Sequence, residues 1–201
     1  MSEDDPAQPA HDVREGRLGS LHQKLGQCLI RLQQIEVGLK WLSSQTHLQA
    51  PAAEFAERHE QRAAGIAKNT LGTVTGDVLS RLVVEEASTP SVPELDDSAP
   101  PFFAAGIAIG IDPDSRAGLA AKLEDLVRRR NLIVHGLLTK FDLDTETGRE
   151  AAEHYLDETF AEAGSVAAEV RLWVESAREL GEMLMQPDVL GRLFVEPSDP
   201  Q

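Results

Sequence analysis

Cysteine occurs once in the chain, at Cys28. A lone cysteine excludes an internal disulfide and suits a reducing, cytoplasmic setting. Aromatic residues are scarce at 4%, so the core must be built from Leu, Ile, Val and Ala. That favours helix-on-helix packing over a β-sandwich. Long apolar runs are also missing. The longest, "FFAAGIAIGI" at 102–111, is about half of the roughly 20 residues a membrane span needs. The first residues, "MSEDDPAQPAHD", lack the charged-then-apolar pattern of a signal peptide. Positive charge is in deficit, with 19 Lys and Arg against 34 Asp and Glu and a formal net charge of −15. This excludes the broad basic footprint of a nucleic-acid-binding surface, for DNA and equally for RNA. Any phosphate-binding site must be local and must work against the surrounding field.

Several chemical signatures are absent as well. "LGTVTG" (71–76) lacks the lysine and the G-K-[ST] ending of a P-loop. "HEQRA" (59–63) begins like a zinc-protease helix, but Ala63 stands where the second histidine belongs. The six histidines are scattered, so no metal site is expected. There is no G-x-S-x-G nucleophile elbow. Glu158 with Glu162, and Glu175 with Glu179, recur at helical spacing and read as a solvated acidic face rather than paired catalytic acids.

What is present is helical periodicity. With 41% hydrophobic residues, the chain is globular and of a size for one domain. Leu18, Leu21, Leu25, Cys28, Leu32, Ile35, Leu39 and Leu42 alternate in steps of three and four. They predict an amphipathic first helix of about seven turns. Leu29, Val37 and Trp41 widen its stripe, and Cys28 falls on the seam as a buried, inert thiol. A more polar helix is expected around 49–69. The next starts at an N-cap Asn69 or Thr70 and carries Leu71, Val74, Val78 and Leu82 on one face, with Val83 or Val84. The prolines of 88–101 mark a loop. Residues 102–111 suit one short strand at an edge. A helix is expected from about Ser115 to Lys140, broken by "FDLDTETG", and a long, acidic last helix from about Arg149 to Met185. The expected organisation is a disordered tail at 1–15, a single helical domain at 16–188 with 88–101 as a loop insertion, and a loose tail at 189–201.

One stretch departs from the pattern. "LVRRRNLIVHGLL" (126–138) places three arginines, an asparagine and a histidine in an otherwise apolar helix. On a wheel of about 100° per residue, Leu119, Leu123, Leu126, Ile133 and Leu137 form a stripe with Arg130 inside it. A guanidinium there is costly unless it is paired or faces a cleft. Asn131 and His135 are neighbours on one flank. Arg130 and His135 stand about 140° apart around the axis and roughly 7.5 Å apart along it. Arginine matches phosphate oxygens, histidine exchanges protons near neutral pH, and asparagine orients. Together they suit cleavage of RNA without a metal or cofactor. The ribose 2′-OH attacks the phosphorus, His135 handles a proton and Arg130 stabilises the phosphorane. One histidine does not serve both ends of that reaction, whereas two copies across a homodimer do.

"RRRNLIVHG" resembles the signature of the HEPN superfamily, an arginine followed by four to six residues and a histidine, often with asparagine directly after the arginine. Arg130, Asn131 and His135 match the four-residue form. "LIRLQQIEVGLKWL", "KNTLGTVTGDV" and "FDLDTETGREAAEHYLDE" are similar to segments of one bacterial HEPN-like group, so the resemblance spans most of residues 20–185. It implies a mainly α, up-and-down helical bundle with a long first helix. It also implies a dimeric, metal-independent endoribonuclease with a toxin or phage-defence role, with Arg128 and Arg129 holding flanking RNA phosphates. An antitoxin or other regulatory protein is a further implied partner. The tyrosine that stands two residues after the histidine in the antitoxin-modified group is Leu137 here, which leaves that route without its residue. The alternative expectation is a non-catalytic HEPN-like module that binds a partner protein or a nucleotide, which the acidic surface suits equally well.

Overall fold

The computed structural model of the chain describes residues 8–85, 102–184 and 186. Among them helix dominates, as the periodicity predicts. The long first helix, α1 (Gln8–Ser44), lies along the long last helix, α6 (Glu146–Leu184). Leu21, Cys28, Leu32, Ile35, Leu39 and Leu42 of α1 meet Ala152, Leu156, Ala163, Val166 and Val170 of α6 in one apolar core. The two helices run in the same direction: Lys24 pairs with Asp157, and seventeen residues on Arg178 stacks on Trp41. Helix α4 (Pro113–His135) runs the other way, since Lys122 pairs with Glu169 and Arg129 with Glu162. The short connection between α4 and α6 requires that antiparallel step. Leu119, Leu123, Leu126, Ile133 and Leu137 are all buried, as the stripe predicts.

Cys28 is fully buried and donates its thiol to the Leu156 carbonyl at 3.1 Å. Burial pushes its pKa up to about 11, so it is a packing residue and not a nucleophile. The widening of the α1 stripe does not hold. Leu29 and Val37 are exposed and Trp41 is half-buried, because the helices packed on α1 cover its seam and not these flanking positions.

Several boundaries differ from the sequence expectation. The helix expected around 49–69 begins only at Phe55, because Leu48–Pro51 form a strand. Helix α1 begins at Gln8, inside the stretch expected as a disordered tail. Extending an existing helix costs little, and Pro9 falls in the first turn, where proline is tolerated. After α2 (Phe55–Ala67), Thr70 caps α3 (Leu71–Asp77) by accepting from the Thr73 amide. The chain then widens into a π-helical turn (Val78–Leu82) and ends as strand β2 (Val83–Glu85) instead of continuing as helix. The β-branched Val83 and Val84 suit that strand.

Residues 102–111 form two strands and not one, β3 (Phe102–Ala105) and β4 (Ile109–Ile111). Strand β3 pairs antiparallel with β1 (Leu48–Pro51), and β4 pairs parallel with β2. Between them the chain presses against the end of α1. A Cβ on Gly106 would lie 2.4 Å from the His47 Cα, and the Ile107 amide donates to the Gln45 carbonyl at 2.9 Å. Finally, the expected 115–140 helix breaks at Gly136 into α4 and the single turn α5 (Leu137–Lys140). The expected loop at 88–101 and tail at 189–201 lie outside the described residues.

Candidate functional site

Helix α4 is anchored at both ends, and this fixes where its polar residues stand. At the start, the Asp112 carboxylate accepts from the Ser115 amide at 2.9 Å, with Pro113 in the first turn, a strong local start signal. At the far end, α5 and Phe141 fold back on α6. The Phe141 and Tyr155 rings lie 5.6 Å apart, and the Lys140 ammonium sits 4.6 Å from the Tyr155 ring centre.

The three consecutive arginines Arg128, Arg129 and Arg130 have three different environments. Arg129 is tied to α6. Its Nε lies 2.5 Å from Asp125 and 3.0 Å from Glu162, Nη1 donates to the Thr159 hydroxyl at 3.3 Å, and the guanidinium stacks over Tyr155 at 5.4 Å. The hydrogen bond from Arg129 holds the Asp125 carboxyl below its ordinary range, against the opposing effect of burial. Burial opposes charge on Arg129, and the neighbouring Asp125 and Glu162 outweigh it and keep the guanidinium firmly protonated. Arg128 is exposed and pairs with Asp125 at 3.0 Å, a contact that water largely screens. Arg130 is half-buried and donates Nη1 to the Asn131 side-chain oxygen at 3.2 Å. Among the described residues it has no carboxylate partner.

That bond orients Asn131. Its oxygen faces the arginine and its amide N–H groups are left to donate outward. Asn131 is exposed, and so is His135, the last residue of α4. The two flanks meet at an open helix end bordered by Val134 and Leu138, 46% and 77% exposed. The structure thus brings Arg130 and Asn131 into contact, places His135 one turn further along the same flank as Asn131, and ties Arg129 to acids. Chemically, the end of α4 offers a fixed cation, a directed amide and an exposed imidazole on one rigid element. Among the described residues no group of three potential metal ligands exists, and no helix is long and apolar enough to cross a membrane.

Sequence reasoning missed the acids around Arg129. Glu158 and Glu162 belong to the face read as solvated, yet Glu162 holds Arg129 and Glu158 lies 4.0 Å from it. The i,i+4 spacing of Asp125 and Arg129 was the one local signal of this arrangement. Comparison with protein-family models, with curated proteins and with solved structures finds no match to the chain.

Proposed function

We propose that the chain is a HEPN-type, metal-independent endoribonuclease acting in the cytoplasm, with Arg130 and His135 as its catalytic residues and Asn131 as the orienting group. The observation that carries this reading is the contrast at the end of α4. Among the described residues the polar contact of Arg130 is the Asn131 amide, while His135 stands exposed at the end of the same helix. An arginine kept for structure would be held by carboxylates, as Arg129 is.

In this reading the 2′-OH of a ribose loses its proton to a base and its oxygen bonds to the adjacent phosphorus. The bond from phosphorus to the 5′ oxygen breaks, and that oxygen takes up a proton. The products are a 2′,3′-cyclic phosphate and a free 5′-OH. Arg130 faces the phosphorane oxygens, where a fixed cation contributes most. His135 carries one of the two protons, and the same residue of a second copy carries the other. The exposed Val134 and Leu138 supply an apolar contact for that second copy. Arg128 is the cation free to hold a flanking phosphate, and Arg129 positions the helix. A toxin or defence role, with a regulatory partner to restrain it, is in keeping with such an activity.

The test is cleavage of single-stranded RNA by the purified protein with chelator present, compared with His135→Ala and Arg130→Ala. Cyclic phosphate ends from the wild type and none from either variant support the reading. Equal cleavage by all three overturns it. The net charge of −15 favours a second reading, a non-catalytic module that binds a partner protein or nucleotide. Absence of cleavage by a dimeric wild type would select it.

A further inference from the structure

A groove of about 490 Å³ runs between α3 and α4, within the size range of small-ligand sites. Its floor is Gly72 and Gly76, one turn apart on α3, with Leu79 of the π-helical turn beyond them. Its wall is Glu124, Val127 and Arg128 of α4.

Gly76 is the informative residue. Glycine in the interior of a helix weakens it. The usual reasons to keep one are a left-handed backbone or a close neighbour. No glycine among the described residues has positive φ, and a Cβ on Gly76 would meet nothing within 4 Å. Neither reason applies, as is also true of Gly19, Gly26, Gly65, Gly118, Gly164 and Gly181; of these glycines Gly76 is the one that lines this groove, where it leaves the floor open. Thr75 lines the same groove, is 4% exposed, and its hydroxyl has no hydrogen-bond partner among the described residues, which leaves it to a water or a ligand. The π-helical turn holds Leu79 in place. Its wider spacing frees the Leu79 carbonyl, which accepts from Arg116 at 2.9 Å, and π turns of this kind gather at functional sites.

The groove is continuous with the candidate site. Glu124, Arg128, Asn131 and His135 follow steps of four, three and four, so they lie along one face of α4. Arg128 and His135 are separated by about 10 Å along the axis. The groove wall thus passes directly into the flank that carries Asn131 and His135.

We propose that this groove is a base subsite for single-stranded RNA, and that it prefers guanine. The flat, side-chain-free floor of Gly72 and Gly76 takes one face of the base, and Leu79 and Val127 supply apolar contact around it. Glu124 is exposed and without an ion pair among the described residues. Its carboxylate only accepts hydrogen bonds. Guanine presents two donors side by side, N1–H and the 2-amino group, which match the two carboxylate oxygens, whereas uracil presents one donor between two carbonyls. Arg128 exchanges its exposed Asp125 contact for the adjoining phosphate. The strand's course toward His135 rests on the ribonuclease reading; binding of the base in the groove does not.

The experiment is titration of the whole, isotope-labelled protein with guanosine 5′-monophosphate and uridine 5′-monophosphate, followed at the backbone amides of Gly72, Gly76 and Val127. Guanosine monophosphate should shift these resonances saturably and bind at least about tenfold more tightly than the uridine nucleotide. Glu124→Gln, an exposed change that should leave the fold intact, should remove that discrimination. Gly76→Leu should weaken both ligands by filling the floor, and Gly76→Ala serves as the folded control should the leucine not be tolerated. Silent amides, or the same discrimination in Glu124→Gln, overturn the proposal.

RNA cut-site mapping separates the two readings. Cleavage without guanine enrichment at the cut and without nucleotide binding removes the groove and leaves the ribonuclease. Glu124-dependent guanosine binding without cleavage keeps the groove as a nucleotide site and removes the ribonuclease.

Discussion

Arg129 lies 2.5 Å from Asp125 and 3.0 Å from Glu162, with Tyr155 beneath its guanidinium. Arg130, the next residue, meets the Asn131 amide at 3.2 Å and no carboxylate among the described residues. One turn of backbone covers both, and their chemistry is identical. The difference comes from α6, whose acids cross α4 on the side of Arg129 and not on the side of Arg130. A permanent cation enclosed by carboxylates is structural, because its charge is already neutralised where it stands. A half-exposed one beside an oriented amide and an open imidazole has charge left to offer a substrate. Composition alone, with its excess of acids, would not have distinguished the two.

The largest expected effect breaks the comparison on the functional side. His135→Ala or Arg130→Ala should lower RNA cleavage by about 10²–10⁴-fold, the range of a lost proton-transfer group or a lost charge stabiliser, measured as the initial rate on a defined single-stranded RNA. Next comes the structural side. Arg129→Met should destabilise the fold by about 2–3 kcal/mol, less than a fully buried pair because the side chain is 21% exposed. It leaves Glu162 without this partner and Asp125 with only its exposed contact to Arg128. Urea unfolding reads this, and a loss as small as for Arg130→Ala would dissolve the distinction drawn here.

The same cage has a pH signature. In the folded protein Asp125 ionises below its ordinary range because Arg129 binds its charged form. The unfolded chain therefore binds the proton first as pH falls. The stability contributed by Asp125 is complete above the unfolded value of about 3.9 and is lost as pH drops through the lower folded value. Urea midpoints measured from pH 6 downward should fall in the wild type, and the slope in this acid window should be shallower in Arg129→Met. The smallest effects sharpen the contrast. Arg130→Ala should change stability by under about 1 kcal/mol, since it breaks a single exposed contact. Gly76→Ala should raise stability by about 0.5–1 kcal/mol, because nothing crowds the added methyl group and alanine favours helix. Thermal denaturation of each variant checks both.

Much of this molecule was legible before any coordinates. The three-and-four steps of α1, the stripe from Leu119 to Leu137 and the N-cap at Thr70 are local patterns, and the folded chain keeps them except at Leu18, which is exposed. The placement of Asn131 and His135 on one flank also follows from helix geometry alone. Less legible were the places where distant segments meet. Residues 102–111 divide into two strands because Gly106 must pass His47. Val83 and Val84 leave the helix because β4 is there to pair with them. Glu162 reads as solvated until α6 lies against α4.

The sequence by itself therefore determined the helical class, the long first and last helices and the inert buried cysteine. Each of these depends on a period or a residue type that acts within a few turns. Only the tertiary structure decided which arginine meets carboxylates of another helix and which does not among the described residues, and that a groove lined by glycines of α3 runs beside the same helix. The physical reason is reach. Helical periodicity fixes the direction in which a side chain leaves its own backbone. What it meets there is set by another helix, which arrives from more than thirty residues away in the chain.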